Sequence, residues 1–73
     1  MKPRYAVRVE HFGRLIRERW TDALGAAATL RRTLSDDEAN RRFSITIYRP
    51  DNIDLGCPTG LTQDEEDSLE EML

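Results

Sequence analysis

Residues 5–20 read Tyr-Ala-Val-Arg-Val-Glu-His-Phe-Gly-Arg-Leu-Ile-Arg-Glu-Arg-Trp, and this stretch decides the fold. Tyr5, Val7 and Val9 alternate with Ala6, Arg8 and Glu10, which is the period of a half-buried strand. Residues 15–20 form a second strand candidate, and Gly13 between the two supplies the positive φ that a tight hairpin needs. A two-residue loop, Phe12-Gly13 or Gly13-Arg14, puts Ile16, Glu18 and Trp20 on the face of Val7 and Val9. A three-residue loop puts Arg17 and Arg19 there instead. Burying two arginines among valines is the costlier choice, so the two-residue loop is expected, with Glu18 as the awkward residue of the apolar face.

Downstream of the hairpin, Thr21 has the chemistry of an N-cap and Asp22 suits a first helical turn. From there to Leu34 the apolar residues Leu24, Ala27, Ala28, Leu30 and Leu34 recur at helical spacing. Ser35 to Glu38 has capping-box spacing, so a short further turn is expected after a break at Ser35. Phe43, Ile45 and Ile47 then alternate with Ser44, Thr46 and Tyr48, a third strand ended by Pro50. Residues 51–61 form an irregular connection. Thr62 and Glu65 make a second capping box, which opens a helix whose apolar stripe is Leu69, Met72 and Leu73.

The element order strand, strand, helix, strand, helix predicts a single α+β domain spanning residues 1–73. Its sheet is three-stranded and antiparallel in the order 2-1-3, because a helix that returns the chain across one face most simply delivers the third strand beside the first. One helix covers a sheet face. The other face is expected to show Arg8, Glu10, Arg17, Arg19, Thr46 and Tyr48, with Phe12 and Leu15 near the hairpin end.

Charge divides the chain in two. Residues 1–50 carry eleven bases and six acids, a formal +5, whereas residues 51–73 carry eight acids and no base, a formal −8. Such asymmetry bears on partners rather than on fold. A segment this size buries only about 60% of its unfolded surface, which leaves little room for a deep substrate pocket beside the core. There is no glycine-rich phosphate loop and no nucleophile with a base beside it, and His11 is the only histidine, so the sequence points away from an enzyme and from a cofactor or metal. Cys57 is the only cysteine, which excludes an internal disulfide and fits a reducing compartment. With no apolar run long enough for a signal peptide or a membrane span, a cytoplasmic location and no membrane partner are expected.

Two candidate surfaces follow. The first is the acidic helix, where Asp64, Glu66, Asp67, Glu70 and Glu71 avoid the apolar stripe and can meet a basic protein target. Glu70 and Glu71 lie at the negative end of the helix dipole, so the segment must either dock through Leu61, Leu69, Met72 and Leu73 or fray, and its carboxylates either fold back toward the protein's own arginines or imitate a phosphate backbone for a target. The second is the open sheet face, where Arg8, Arg17, Arg19 and Tyr48 offer guanidinium groups for phosphate and a ring for stacking on nucleic acid.

The strand, hairpin and helix run of residues 5–34, the strand of residues 43–48 and the acidic run of residues 64–71 together resemble in style the small phage-encoded inhibitors of bacterial immunity known as anti-CRISPR proteins. Many of these are single acidic α/β domains that bind a Cas protein, some by filling a nucleic-acid groove with carboxylates. The resemblance implies a non-enzymatic inhibitor that occupies a basic nucleic-acid-binding surface of a protein target in a bacterial or phage-infected cell. The basic first half departs from a purely acidic mimic and leaves direct nucleic-acid binding as the alternative.

Overall fold

The computed structural model describes residues 4–72. Strands β1 (Tyr5–His11) and β2 (Arg14–Thr21) form the hairpin, and its turn is Phe12-Gly13, with His11 opposite Arg14. Both turn residues have positive φ, 50° at Phe12 and 77° at Gly13, as a type I′ hairpin turn requires. β3 (Ser44–Tyr48) pairs antiparallel with β1 on the other side, so the sheet order is β2-β1-β3. Phe43 lies just outside β3, and the α+β fold and strand order are those the pattern predicts.

The hairpin register differs from the expected one beyond its first two pairs. Glu10 faces Leu15, but Val9 faces Arg17 and Val7 faces Arg19, so Ile16 is an extra residue that bulges β2. The bulge exchanges the faces of β2: Arg17 and Arg19 share the face of Val7 and Val9, while Glu18 and Trp20 move to the open face beside Arg8 and Ala6. The price assigned to buried arginines does not apply, because β2 is an edge strand and Arg17 and Arg19 stay exposed at the rim of the helix layer. The bulge also removes Glu18 from the apolar face and gives it two donors, Arg8 and Trp20, on the other.

Helix α1 (Leu24–Asp36) packs against all three strands and against α2 (Gln63–Met72). It begins after Ala23 with no side-chain cap, two residues later than the Thr21 cap predicts, because Thr21 pairs with Tyr5 and belongs to β2. It also runs through Ser35 to Asp36. Asp37, rather than Ser35, caps the following 3-10 turn Glu38–Asn40 by accepting from the Ala39 N–H at 3.0 Å. Asn40 is buried and ties this turn to α1, its amide nitrogen donating to the Leu34 carbonyl at 3.0 Å.

The core lies between the sheet and the two helices. Tyr5, Val7 and Ile47 from the sheet meet Ala27 and Ala28 of α1, Leu61 and Leu69, with Leu24, Leu30, Leu34, Ile45 and Met72 at its margin. The small side chains at 27 and 28 let α1 approach the strands closely. Leu73, expected in the α2 stripe, is outside the described residues. The connection from β3 to α2 is more ordered in pattern than an irregular loop. It contains a 3-10 turn Pro50–Asn52, a bridge between Asp54 and Cys57, and an Arg49 N–H that donates to the Thr59 carbonyl at 2.7 Å. Gly60 closes it with φ 79°, where any Cβ would overlap the Arg49 carbonyl oxygen.

Candidate interaction surfaces

The capping box at residues 62–65 forms reciprocally. The Thr62 hydroxyl accepts from the Glu65 N–H at 3.2 Å, and Glu65 Oε1 accepts from the Thr62 N–H at 3.1 Å. The Glu65 carboxylate does more than cap. It also accepts from the Tyr5 hydroxyl and from Arg49 Nη1 at 3.0 Å, so one side chain joins the start of α2 to β1 and to the end of β3. Burial pushes the Glu65 pKa up, but its bonds from Tyr5, the Thr62 N–H and Arg49 outweigh that and hold it below the ordinary glutamate value. Tyr5 is raised, first by burial and then by its bond to Glu65.

The other end of α2 carries an unfavourable charge arrangement, with Glu70 and Glu71 in the last turns and no base. A neighbour supplies the missing cation. Arg32 of α1 donates from Nη2 to the Met72 carbonyl at 2.8 Å, satisfying an end-of-helix acceptor and placing positive charge at the negative pole of the dipole. With Leu69 buried and Met72 packed at the core margin, α2 is docked along its length.

Asp64, Glu66, Asp67, Glu70 and Glu71 all point away from this docking and are exposed. None of the five forms an ion pair among the described residues, and Asp67 receives only the Gln63 side-chain amide at 3.0 Å. The helix therefore satisfies its inner side with Arg49 and Arg32 and leaves its outer side as free carboxylates. Sequence reasoning separated the five outward acids from the apolar stripe. Folding back toward the protein's own arginines was one expectation for this helix, but the sequence did not single out Glu65 as the docking residue or Arg32 as the cap.

The open sheet face is a ladder of alternating cations, rings and carboxylates. Arg8 Nε donates to Glu18 at 2.7 Å, and the Trp20 indole N–H donates to the other Glu18 oxygen at 2.8 Å. The Arg8 guanidinium lies 4.9 Å from the Tyr48 ring centre, and Arg4 lies 4.7 Å from that of Trp20. Tyr48 donates to Glu10 at 3.0 Å. The bond from Arg8 and then that from Trp20 lower the Glu18 pKa, while burial and the Glu10 bond raise that of Tyr48. Ala6 sits between Trp20 and Tyr48 in register and is fully buried although no helix covers this face.

Of the four residues expected to form a basic face, only Arg8 and Tyr48 share it. Arg17 and Arg19 are on the opposite face, and Arg17 lies 3.9 Å from Asp37 at the end of α1. Arg8 is itself committed to Glu18, so the open face balances Arg4 and Arg8 against Glu10 and Glu18. Trp20 and Glu18 were missed because the bulge that brings them here has no signature in the alternation.

Two shallow clefts of about 280 and 270 Å³ are open to solvent, the first at the hairpin end, lined by His11, Phe12 and Arg42, the second beside the end of α1, lined by Arg31, Asn40 and Arg41. Among the described residues no group of three or more His, Cys, Asp or Glu side chains is placed to hold a metal ion. His11 packs edge-on against Phe43, and the Cys57 thiol donates to the Leu61 carbonyl at 2.9 Å. No described helix is long and apolar enough to cross a membrane. No protein-family model, curated protein or solved structure matches the chain.

Proposed function

We propose that this protein is a non-enzymatic interaction protein, an inhibitor of the anti-CRISPR kind, whose α2 surface occupies the basic nucleic-acid-binding surface of a protein target. The observation that carries this reading is the outward set Asp64, Glu66, Asp67, Glu70 and Glu71, which form no ion pair among the described residues and stand on a helix fixed at both ends. At a rise of about 1.5 Å per residue, these five charges span roughly 10 Å of axis, a mean spacing of about 2.6 Å. Duplex DNA presents one phosphate charge per about 1.7 Å. A protein groove that neutralises phosphates finds in α2 a comparable line of anionic oxygens, already ordered, so little conformational entropy is lost on docking.

Direct nucleic-acid binding through Arg8, Arg17, Arg19 and Tyr48 is less well supported, since two of those residues lie on the wrong face and a third is paired. The two functions separate in one experiment. Nucleic-acid-handling proteins loaded with a fluorescent duplex or guide strand are titrated with this protein, and displacement is read by anisotropy, beside a titration of the free nucleic acid at low salt. The proposal expects displacement from a basic-grooved protein and no binding to free strands. Binding to free DNA or RNA that weakens steeply with salt overturns it in favour of the alternative.

A further inference from the structure

Strand β2 is an edge of the sheet, with β1 on one side and no strand on the other, and residues 14–20 are exposed except for the half-buried Glu18. The two-residue turn closes on the facing pair His11 and Arg14, and hydrogen-bonded pairs recur at every second residue of β1 from there. Val9, Val7 and Tyr5 therefore turn their N–H and C=O groups toward β2, where they face Arg17, Arg19 and Thr21. Glu18 and Trp20 lie between those residues and turn theirs outward. No backbone group of the described residues meets them there, and the Glu18 carbonyl accepts only a side-chain bond, from Arg19 Nη1 at 3.2 Å. The bulge at Ile16 ends this open ladder toward the turn, so residues 17–21 remain as a regular edge of about the ordinary length of a strand.

The side chains along this edge divide by face. Arg17 and Arg19 lie on the helix side, Glu18 and Trp20 on the open side. Arg19 forms no ion pair among the described residues, and Arg17 stands 3.9 Å from Asp37 in a pair so exposed on both sides that water screens it. Glu18 is already held by Arg8 and the Trp20 indole, so its charge is offset within the protein. The edge is thus cationic on one side and, on the other, neutral with Trp20 43% exposed. Charged edges keep strands from pairing with their like, and two copies of β2 side by side would bring guanidinium groups together on the helix side. The same arrangement admits a strand of the opposite pattern.

We infer that the β2 edge takes up an extended segment of a partner protein as a fourth strand, one with carboxylates at alternate positions opposite Arg17 and Arg19 and an apolar residue opposite Trp20. Polypeptide is the chemistry that fits, because the edge offers both N–H and C=O groups and another backbone supplies acceptors and donors in the same alternation. A phosphate backbone accepts without donating and leaves the outward carbonyls of Glu18 and Trp20 without partners. Alternation sets the pattern: residues that face each other across a ladder share a face, so acids two apart meet both arginines while the residue between them faces Glu18. Adjacent acids would send one of the two to the open side, against Glu18 or Trp20. An apolar residue beside Trp20 adds a cross-strand contact on that side. This contact uses neither α2 nor its carboxylates, so it stands or falls apart from the proposed function.

The test uses the whole protein and a fluorescent peptide, Thr-Val-Glu-Thr-Glu-Val-Thr, which reads the same in both directions and so presents one pattern to a parallel or an antiparallel neighbour. Two peptides serve as controls: Thr-Thr-Glu-Glu-Val-Val-Thr, of the same composition and charge with adjacent acids, and the first peptide N-methylated at its three central residues, which keeps the charges and removes the ladder donors. In anisotropy titrations at low salt, each control is expected to bind at least about tenfold more weakly than the alternating peptide. R17S/R19S, altered only at exposed positions and confirmed as folded by circular dichroism, should weaken the alternating peptide by a similar factor. Amide hydrogen exchange on the wild type needs no variant: saturating peptide should slow the Glu18 and Trp20 amides by about tenfold or more and leave those of Arg17 and Arg19, already bonded to β1, unchanged. Equal binding of the alternating and adjacent-acid peptides, unslowed Glu18 and Trp20 amides at saturation, or no binding at millimolar peptide overturns the inference. Binding of a labelled oligonucleotide that requires Arg17 and Arg19, with no binding of the peptide, also overturns it and assigns these arginines to phosphate.

Discussion

Replacing Glu65 by alanine tests how the acidic helix is held in place. The carboxylate is only 14% exposed and satisfies three donors: the Thr62 N–H, the Tyr5 hydroxyl and Arg49. Losing the capping bond costs about 1 kcal/mol. The Tyr5 hydroxyl, on a residue 4% exposed, is left without a partner, which costs about 1–3 kcal/mol more. Arg49 is about a third exposed and water takes over its charge, so its share is small. The sum, about 2–4 kcal/mol, is a large fraction of the ~4–10 kcal/mol that a domain of this size commands. Thermal unfolding followed by circular dichroism is expected to show a fall in Tm of more than about 10 °C. Glu66→Ala, one residue along and exposed, is the control and is expected within about 0.5 kcal/mol of wild type. In a Tyr5→Phe background, Glu65→Ala should cost less, since no hydroxyl is stranded. Equal stability of the Glu65 and Glu66 variants refutes the docking argument.

Acid stability should follow the same residue. The folded-state pKa values of Glu65 and Glu18 lie below their unfolded values, so their contribution is present at neutral pH and is lost as pH falls below about 4.3. Denaturant titrations across pH should show this decline, flattened in Glu65→Gln. Tyr5 and Tyr48 are shifted upward, so stability should also fall as pH rises above about 10. Gly60→Ala is expected to destabilise by more than about 2 kcal/mol in urea unfolding, because the new methyl meets the Arg49 carbonyl at a left-handed φ. Phe12→Asn should stabilise by roughly 0.5–1 kcal/mol, since asparagine accepts the left-handed turn position and the ring, 97% exposed, touches only the exposed His11 ring among the aromatic side chains. A less stable Phe12→Asn variant would show that the ring packs in the fold.

The elements were legible wherever local chemistry decides them. Val7 and Val9, the Phe43 to Tyr48 alternation and the Thr62 capping box each specify their structure within a few residues, and the strand order follows from the helix that links them. The β2 register was not legible beyond the turn. It depends on which side of the sheet remains uncovered, a tertiary property, and the bulge at Ile16 is the cheapest way to move Glu18 to two donors. The same slip dismantled the basic face, since exchanging one residue sends Arg17 and Arg19 across the sheet. For the acidic helix, the five outward carboxylates could be read from helical spacing alone. Its anchors could not, because Arg32 and Arg49 lie 40 and 16 residues from their partners in sequence.

The central claim is that α2 presents its free carboxylates to a basic protein groove. Reversing Asp64, Glu66, Asp67, Glu70 and Glu71 to lysine tests it most directly, with nucleic-acid displacement, association rate and Tm measured on the one variant. Asp64 loses a favourable place at the helix start while Glu70 and Glu71 gain one at its end, so the fold should hold with little change in Tm. The account predicts that displacement is abolished and that, for the wild type, the association rate falls as salt is added. Displacement by the lysine variant equal to that of the wild type, at unchanged Tm, contradicts it.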